Sequence, residues 1–337
     1  MKKTLSCSLI VFFVFITFCC LVGCVKQKKR IVLDGMVQGT YYHIVLYSED
    51  TTCIQQDIKR MFAQIDSSLS LWEENSIVNR VNRNENVVLD DIFITNFVFS
   101  QKFSKLTDGA FDITVGDLVR KYGFANKNRE KLTPYQVDSL LQFVGYENLT
   151  VKNKKIIKKF PQTKLDFNAI AQGYTSDIIA SYFKKRNIHS FIVDIGGEVV
   201  CGEKKPNNQK WAVGIERPNE NSSIYERKTQ QIIYLTNKSV VTSGNYRKFY
   251  VEDGVKYSHT INPKTGKPVT HTLLSASVIA DDAITADALA TAFMVMGIKG
   301  TQEFLKSHTD YAVYLIFSDT QGNIKTWQSN NFSKYTQ

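Results

Sequence analysis

The sequence predicts an α+β fold in which mixed, largely antiparallel sheets pack against helices. Three observations carry this expectation. Strand-like and helix-like segments mix without strict alternation, strands crowd into the second half, and no internal repeat or low-complexity stretch intervenes.

The first residues are an address and not part of that fold. Lys2 and Lys3 precede an almost unbroken apolar run from Leu9 to Phe18, which closes on Leu21-Val22-Gly23-Cys24. This is the layout of a secretory signal, with an apolar core too short for a comfortable membrane span. A cysteine directly after a small residue has the form of a bacterial lipoprotein signal. Residues 1–23 would be removed and Cys24 diacylated as the mature N-terminus; an ordinary signal with an incidental cysteine is the alternative. Residues 24–32, with Lys26, Lys28, Lys29 and Arg30, read as a solvated tether able to rest on anionic headgroups. Residues 33–337 read as the folded domain.

Within that domain, Thr40 to Tyr47 is rich in β-branched and aromatic residues and reads as a strand. Ile54, Ile58, Met61, Ile65 and Leu69 recur at spacings of three and four, the stripe of an amphipathic helix. A second helix is expected from about Asp90 to Leu106, closing at Gly109. Thr133-Pro134 supplies an N-cap and a first-turn proline for a short helix that stops before Gly145. Strands are then expected at Ser190 to Ile195 and Glu198 to Cys201, flanking Gly196-Gly197, and at Trp211 to Glu216 and Gln231 to Leu235. Lys248 to Val251 and Lys256 to Ile261 are joined across Asp253-Gly254, a strong hairpin signal. Leu274 to Ala280 is a strand that leads into an apolar helix from about Thr285 to Met296, ending at Gly297. Tyr311 to Phe317 and Asn323 to Trp327 form a terminal hairpin.

The formal charge of +10 is dispersed along the chain. Its densest run, Lys152 to Lys159, has hairpin spacing around Asn153 and no interleaved aromatic platform, so it reads as a solvated hairpin and not as a nucleic-acid site. An anionic small molecule stays compatible with the surplus. Of six cysteines, Cys7, Cys19 and Cys20 leave with the signal. Cys53 and Cys201 then remain for the fold, too few for a disulfide framework, and are expected as two buried thiols with pairing left open.

Chemistry is expected first on the helix after Ala280. Asp287 and Thr291 stand four apart and share a face, among Ala283, Ala286, Ala288, Ala290 and Ala292, which let a ligand or backbone come close. Carboxylate and hydroxyl are hard donors suited to Mg²⁺ and its phosphate ligands. Equally, Asp287 could serve the helix dipole and Thr291 a backbone carbonyl. From Leu165 to Tyr174 an apolar strand ends at Asp166 and turns through small residues into a helix, whose start is either a phosphate seat or a plain capped entry. His259, one of five histidines, sits where a hairpin strand meets the turn Asn262-Pro263-Lys264-Thr265-Gly266. That rim position suits a general base or a turn-fixing residue. Gly196-Gly197 fits a tight turn and makes no dinucleotide fingerprint. Thr242-Ser243-Gly244 lacks the elbow of a serine nucleophile.

Together these segments resemble the ApbE family of FAD:protein FMN transferases. The likeness runs from about Gly35 to Trp327 through seven blocks in family order. They are Gln38-Gly39-Thr40, Asp108 to Gly116, Asp166 to Gly173, Asp194 to Gly197, Thr242 to Arg247, the His259 turn, and Ala286 to Thr291. The resemblance implies a site between the two halves of the chain. FAD, as substrate, would be contacted by Gln38, Trp72, Ala110, Phe111, Asp112, Asp166, Gln172 and Ile261. Mg²⁺ would be held by Asp287, Thr291 and the carbonyl of Ala169, and His259 would take the proton of an acceptor threonine. The implied reaction is transfer of FMN from FAD to that hydroxyl with release of AMP; hydrolysis of FAD to FMN and AMP, or FAD binding without catalysis, are the alternatives. The implied partners are exported or membrane redox proteins, with subunits of Nqr- and Rnf-type complexes as acceptors, and no nucleic acid. The implied place is the periplasmic face of a membrane, the inner one favoured, reached through the lipid anchor. The chain departs from common family patterns at Gln38, where relatives carry methionine, at Gln172, where a lysine is frequent, and at Ala290, where some carry aspartate. These departures bear on the ligand set more than on the reaction class.

Overall fold

The computed structural model describes residues 28–124, 130–218, 228–245, 249–252 and 255–337. The expected signal segment, Cys24, Tyr246, Arg247 and the Asp253-Gly254 turn lie outside the described residues. In chain order the first half runs β1 (Lys29–Val37), β2 (Thr40–Ser48), α1 (Ile54–Leu69), α2 (Ile77–Asn82), α3 (Asp91–Leu106), α4 (Gly116–Lys121), α5 (Pro134–Leu141), β3 (Leu149–Lys152), β4 (Lys155–Lys158) and α6 (Ala171–Lys185). The strand-rich half follows with β5 (Phe191–Ile195), β6 (Glu198–Cys201), β7 (Trp211–Glu216), β8 (Thr229–Leu235), β9 (Lys238–Gly244), β10 (Phe249–Glu252), β11 (Val255–Ser258), β12 (Ile261–Asn262), β13 (Lys267–Pro268) and β14 (Leu273–Ala280). The chain closes with α7 (Ala283–Ser307), β15 (Ala312–Ser318) and β16 (Ile324–Gln328).

Eight strands form one sheet in the order β1-β2-β5-β6-β9-β14-β15-β16, antiparallel at every pairing. Alternation along each strand sends side chains to two different cores. From β2, Tyr42, Ile44 and Leu46 join the larger core with α1, α3, α6 and α7, whereas Val45 joins a smaller one. In that second core the β7–β8 hairpin closes over the opposite sheet face through Trp211, Ile215, Ile233 and Leu235. α7 is long and apolar enough to cross a membrane, but most of it is buried in the larger core, where Phe293 is fully enclosed. The mixed, antiparallel α+β fold is therefore present.

Local signals explain most elements. Thr133 caps α5 in a reciprocal box with Gln136, behind Pro134. The β3–β4 hairpin turns through Asn153 and Lys154, both at positive φ. Its lysines anchor the fold: Lys158 donates to the Val81 and Thr163 carbonyls and Lys154 pairs with Asp91. Gly297 is left-handed at φ 68, which ends the regular part of α7 where expected, although helix resumes beyond it.

Three expectations need correction. Pairing of β1 with β2 begins at Lys29, inside the stretch read as tether. β9 was not foreseen, because its Thr242-Ser243-Gly244 end lacks the bulk of a central strand; small residues suit it because α7 packs closely there. Cys53 is exposed at the start of α1 and Cys201 is buried, so the thiols differ and both are free. Burial pushes the Cys201 thiol well above its ordinary range.

Candidate active site

One cavity of about 440 Å³ opens between the helix-rich half and the end of the main sheet, and its lining draws on both halves of the chain. Gln38, Trp72, Ala110, Phe111, Asp112, Asp166, Ala169, Gln172, His259, Ile261, Asp287 and Thr291 all line it. Residues 253 positions apart in sequence are thus brought to one wall by three devices: the β1–β2 turn, the start of α6 and the second turn of α7.

The β1–β2 turn uses Gln38 and Gly39, both at positive φ, the geometry that matches strand twist in a two-residue hairpin. The Gln38 amide then reaches Asp66 on α1 at 3.2 Å and Thr175 on α6 at 3.3 Å. Burial raises the Asp66 carboxyl above its ordinary value, against the lowering effect of Gln38.

Asp112 is anchored locally. Its Oδ1 accepts from the Thr114 amide at 2.8 Å and hydroxyl at 2.7 Å, and its Oδ2 from the Tyr146 amide at 2.9 Å. Burial nevertheless pushes its carboxyl up to about 6. These bonds fix the loop that presents Ala110, Phe111 and Asp112 to the cavity. Asp166 likewise shapes a loop, accepting the Asn168 amide at 2.8 Å, while the adjoining Phe167 packs edge-to-face on Phe93. Trp72 stands at the rim, 66% exposed. His259 meets Phe124 edge-on, and Lys264 in the same turn pairs with Asp108, which ties the histidine turn to the 108–116 loop.

Asp287 is buried beside the start of α6. Its Oδ2 accepts the Gly173 amide at 3.0 Å. It does not cap its own helix: Asp282 accepts the Thr285 amide, and Asp177 accepts the amides of Ala283 and Ile284 at 2.9 and 2.8 Å. The dipole alternative for Asp287 is thereby answered by other residues. Burial pushes its carboxyl up to about 7, and the Asp177 charge adds to this. Thr291 Oγ1 lies 3.3 Å from Ser243 Oγ.

Among the described residues, no group of three or more His, Cys, Asp or Glu could hold a metal ion. A site there would rest on one carboxylate, one hydroxyl and a backbone carbonyl, all hard oxygen donors. That set suits Mg²⁺, which keeps waters and takes substrate phosphates as further ligands, and does not suit zinc. A buried carboxyl raised by desolvation is also a place where a bound cation restores the charged form.

Sequence reasoning missed Asp66, Glu198 and Ser243 in this lining. Asp66 is the acid beside the apolar stripe of α1, a visible signal. Ser243 stands in the Thr242 to Arg247 block without an assigned contact, and no local pattern marks Glu198.

The model of the ApbE family matches residues 38–315. An FAD:protein FMN transferase of Buchnera aphidicola subsp. Schizaphis graminum is 33% identical over 336 residues, covering 96% of each chain. The structure of the flavin transferase ApbE from Vibrio cholerae superposes with a TM-score of 0.81 at 28% identity, over 91% of this chain and 99% of that one. The apo form of the Pseudomonas stutzeri flavinyl transferase ApbE gives 0.83 at 25% identity, over 93% and 98%.

Proposed function

The chain belongs to the ApbE family and is an FAD:protein FMN transferase; we propose that its transfer requires a divalent cation, ends on a threonine hydroxyl and releases AMP. The observation that carries this reading is the convergence of all twelve expected binding, metal and catalytic residues on one cavity.

In this reading Trp72 stacks on a ring of FAD at the rim, and Gln38 and the 110–112 loop line its path inward. Asp287, Thr291 and the Ala169 carbonyl would hold Mg²⁺, whose charge would offset that of the diphosphate and of the departing AMP. The positive end of the α6 dipole adds a favourable field for the same phosphates. His259 accepts the threonine proton as the hydroxyl oxygen bonds to the flavin-side phosphorus. The bridging P–O bond breaks and its oxygen leaves with AMP.

Diacylation of Cys24 would hold the domain at the periplasmic side of a membrane, because β1 begins at Lys29, only a short tether away. Flavin-bearing subunits of Nqr- or Rnf-type complexes are the acceptors that such a placement serves. The test is to incubate the protein with FAD, Mg²⁺ and such a subunit and to analyse it by peptide mass spectrometry. FMN mass on a threonine with equivalent AMP is expected. Free FMN at steady turnover without acceptor would point instead to hydrolysis, and no adduct on any acceptor would defeat the reading.

A further inference from the structure

We propose that a groove along the free edge of β7 receives an extended segment of the acceptor protein as an added strand, on its way to the reaction cavity. The inference rests on the flavin-transfer reading and deepens it by naming the surface that takes the second substrate.

Among the described residues β7 pairs only with β8, so its other edge presents backbone N–H and C=O groups to a further strand. That edge borders a second cavity of about 450 Å³, on the sheet face opposite the main helices. Every residue of β7 from Trp211 to Glu216 lines it, and its floor is made by Tyr41, His43 and Asp194 of β2 and β5. The floor continues onto β1, whose register sets Val32 beside Val45, Asp34 beside His43 and Met36 beside Tyr41. Val32 is 37% and Met36 76% exposed, apolar side chains uncovered on the edge strand of the sheet.

The groove leads to the chemistry. Gly196 and Thr242 line both cavities. On β9, Thr242 shares the outer face with Ser277, while the next residue, Ser243, faces inward to Thr291 at 3.3 Å. The two cavities are thus separated by one strand. At the Gly196-Gly197 turn nothing lies within 4 Å of where a Gly197 side chain would begin, while Gly196 sits against Thr40 and Glu198. A chain laid along β7 can pass over this turn and bring a hydroxyl to the Thr291 side.

The polar floor groups engage each other: the Tyr41 hydroxyl donates to Asp194 at 3.2 Å, and His43 pairs with Asp34. Recognition is therefore left to backbone pairing and apolar contact, which an extended polypeptide supplies and a compact anion does not.

The test uses Val32→Glu and Met36→Glu, neither of which lines the reaction cavity, with the exported domain of an Rnf- or Nqr-type flavin-bearing subunit as probe. Each variant is expected to raise the acceptor KM by about tenfold or more. FAD affinity and the rate at saturating acceptor should stay unchanged. Adding the probe should also slow amide hydrogen exchange across 211–216. Transfer with an unchanged acceptor KM in both variants would overturn the docking surface alone. Protection of 211–216 that grows with protein concentration in the absence of acceptor would assign the groove to a second copy of this chain and overturn it as well. No transfer by the unaltered protein would overturn the functional reading itself, and the docking surface with it.

Discussion

The amide of Gly173 donates to Asp287 Oδ2 at 3.0 Å, so a carboxylate from the second turn of α7 serves the open start of α6. Asp177, four residues on from Gly173, returns the favour by accepting the first two amides of α7. The two helices hold each other through carboxylates, and Asp287 is fixed at the cavity wall by this crossing.

Gly173 has no room for a side chain. A Cβ there would come 2.5 Å from the Ala283 carbonyl oxygen and 2.8 Å from Asp287 Cβ. Gly173→Ala should push the helices apart, cost about 1–3 kcal/mol in unfolding free energy, and weaken Mg²⁺ binding. Denaturant titration and metal titration check both effects. An unchanged metal affinity would show that the crossing does not set Asp287.

Asp287→Asn keeps an acceptor for Gly173 and removes a buried charge. The metal-free variant should be at least as stable as the parent, while Mg²⁺-dependent transfer falls by roughly 100-fold or more. Thermal unfolding and the adduct assay read the two outcomes. Retained turnover at limiting Mg²⁺ would refute the metal assignment.

Burial pushes Asp177 up to about 7 from 3.8, despite two amide donors. A carboxyl raised on folding lends stability in its protonated form; that stability is complete below pH ~4 and is lost as pH rises through ~7. The metal-free protein should therefore lose stability relative to Asp177→Asn as pH rises across this window, by on the order of 4 kcal/mol. Urea unfolding at several pH values measures it, and a flat difference would contradict the burial argument.

Trp72 is mostly exposed and carries little of the fold. Trp72→Ala should leave stability unchanged and weaken FAD binding by about 1–3 kcal/mol, the worth of one aromatic stack. Fluorescence titration with FAD checks this.

His259→Gln should slow transfer by about 100- to 10,000-fold, the usual span for a general base, while FAD affinity moves little. Equal losses in both would make His259 a structural residue of its turn.

The sequence announced elements whose pattern is local. The β-branched run of Thr40 to Tyr47, the stripe from Ile54 to Leu69 and the Thr133-Pro134 cap each became the expected element. β9 stayed hidden because its end residues answer to the close approach of α7, a tertiary fact. The same limit governs the site. The motif blocks marked the residues of the cavity, but that Asp112 is spent on Thr114 and Tyr146, that Asp177 relieves Asp287 of capping, and that Asp66 meets Gln38 all depend on packing between distant segments. Cys53 was misjudged for a related reason: its neighbour Ile54 is buried at the start of the helix stripe, but the thiol itself faces outward.

The most direct test is a crystal grown with FAD and Mn²⁺ in place of Mg²⁺, with the metal located by anomalous scattering. A peak bounded by Asp287, Thr291 and the Ala169 carbonyl, against the diphosphate of FAD, is the expected result. FAD bound with its diphosphate turned away from Asp287 and no peak between them would contradict it.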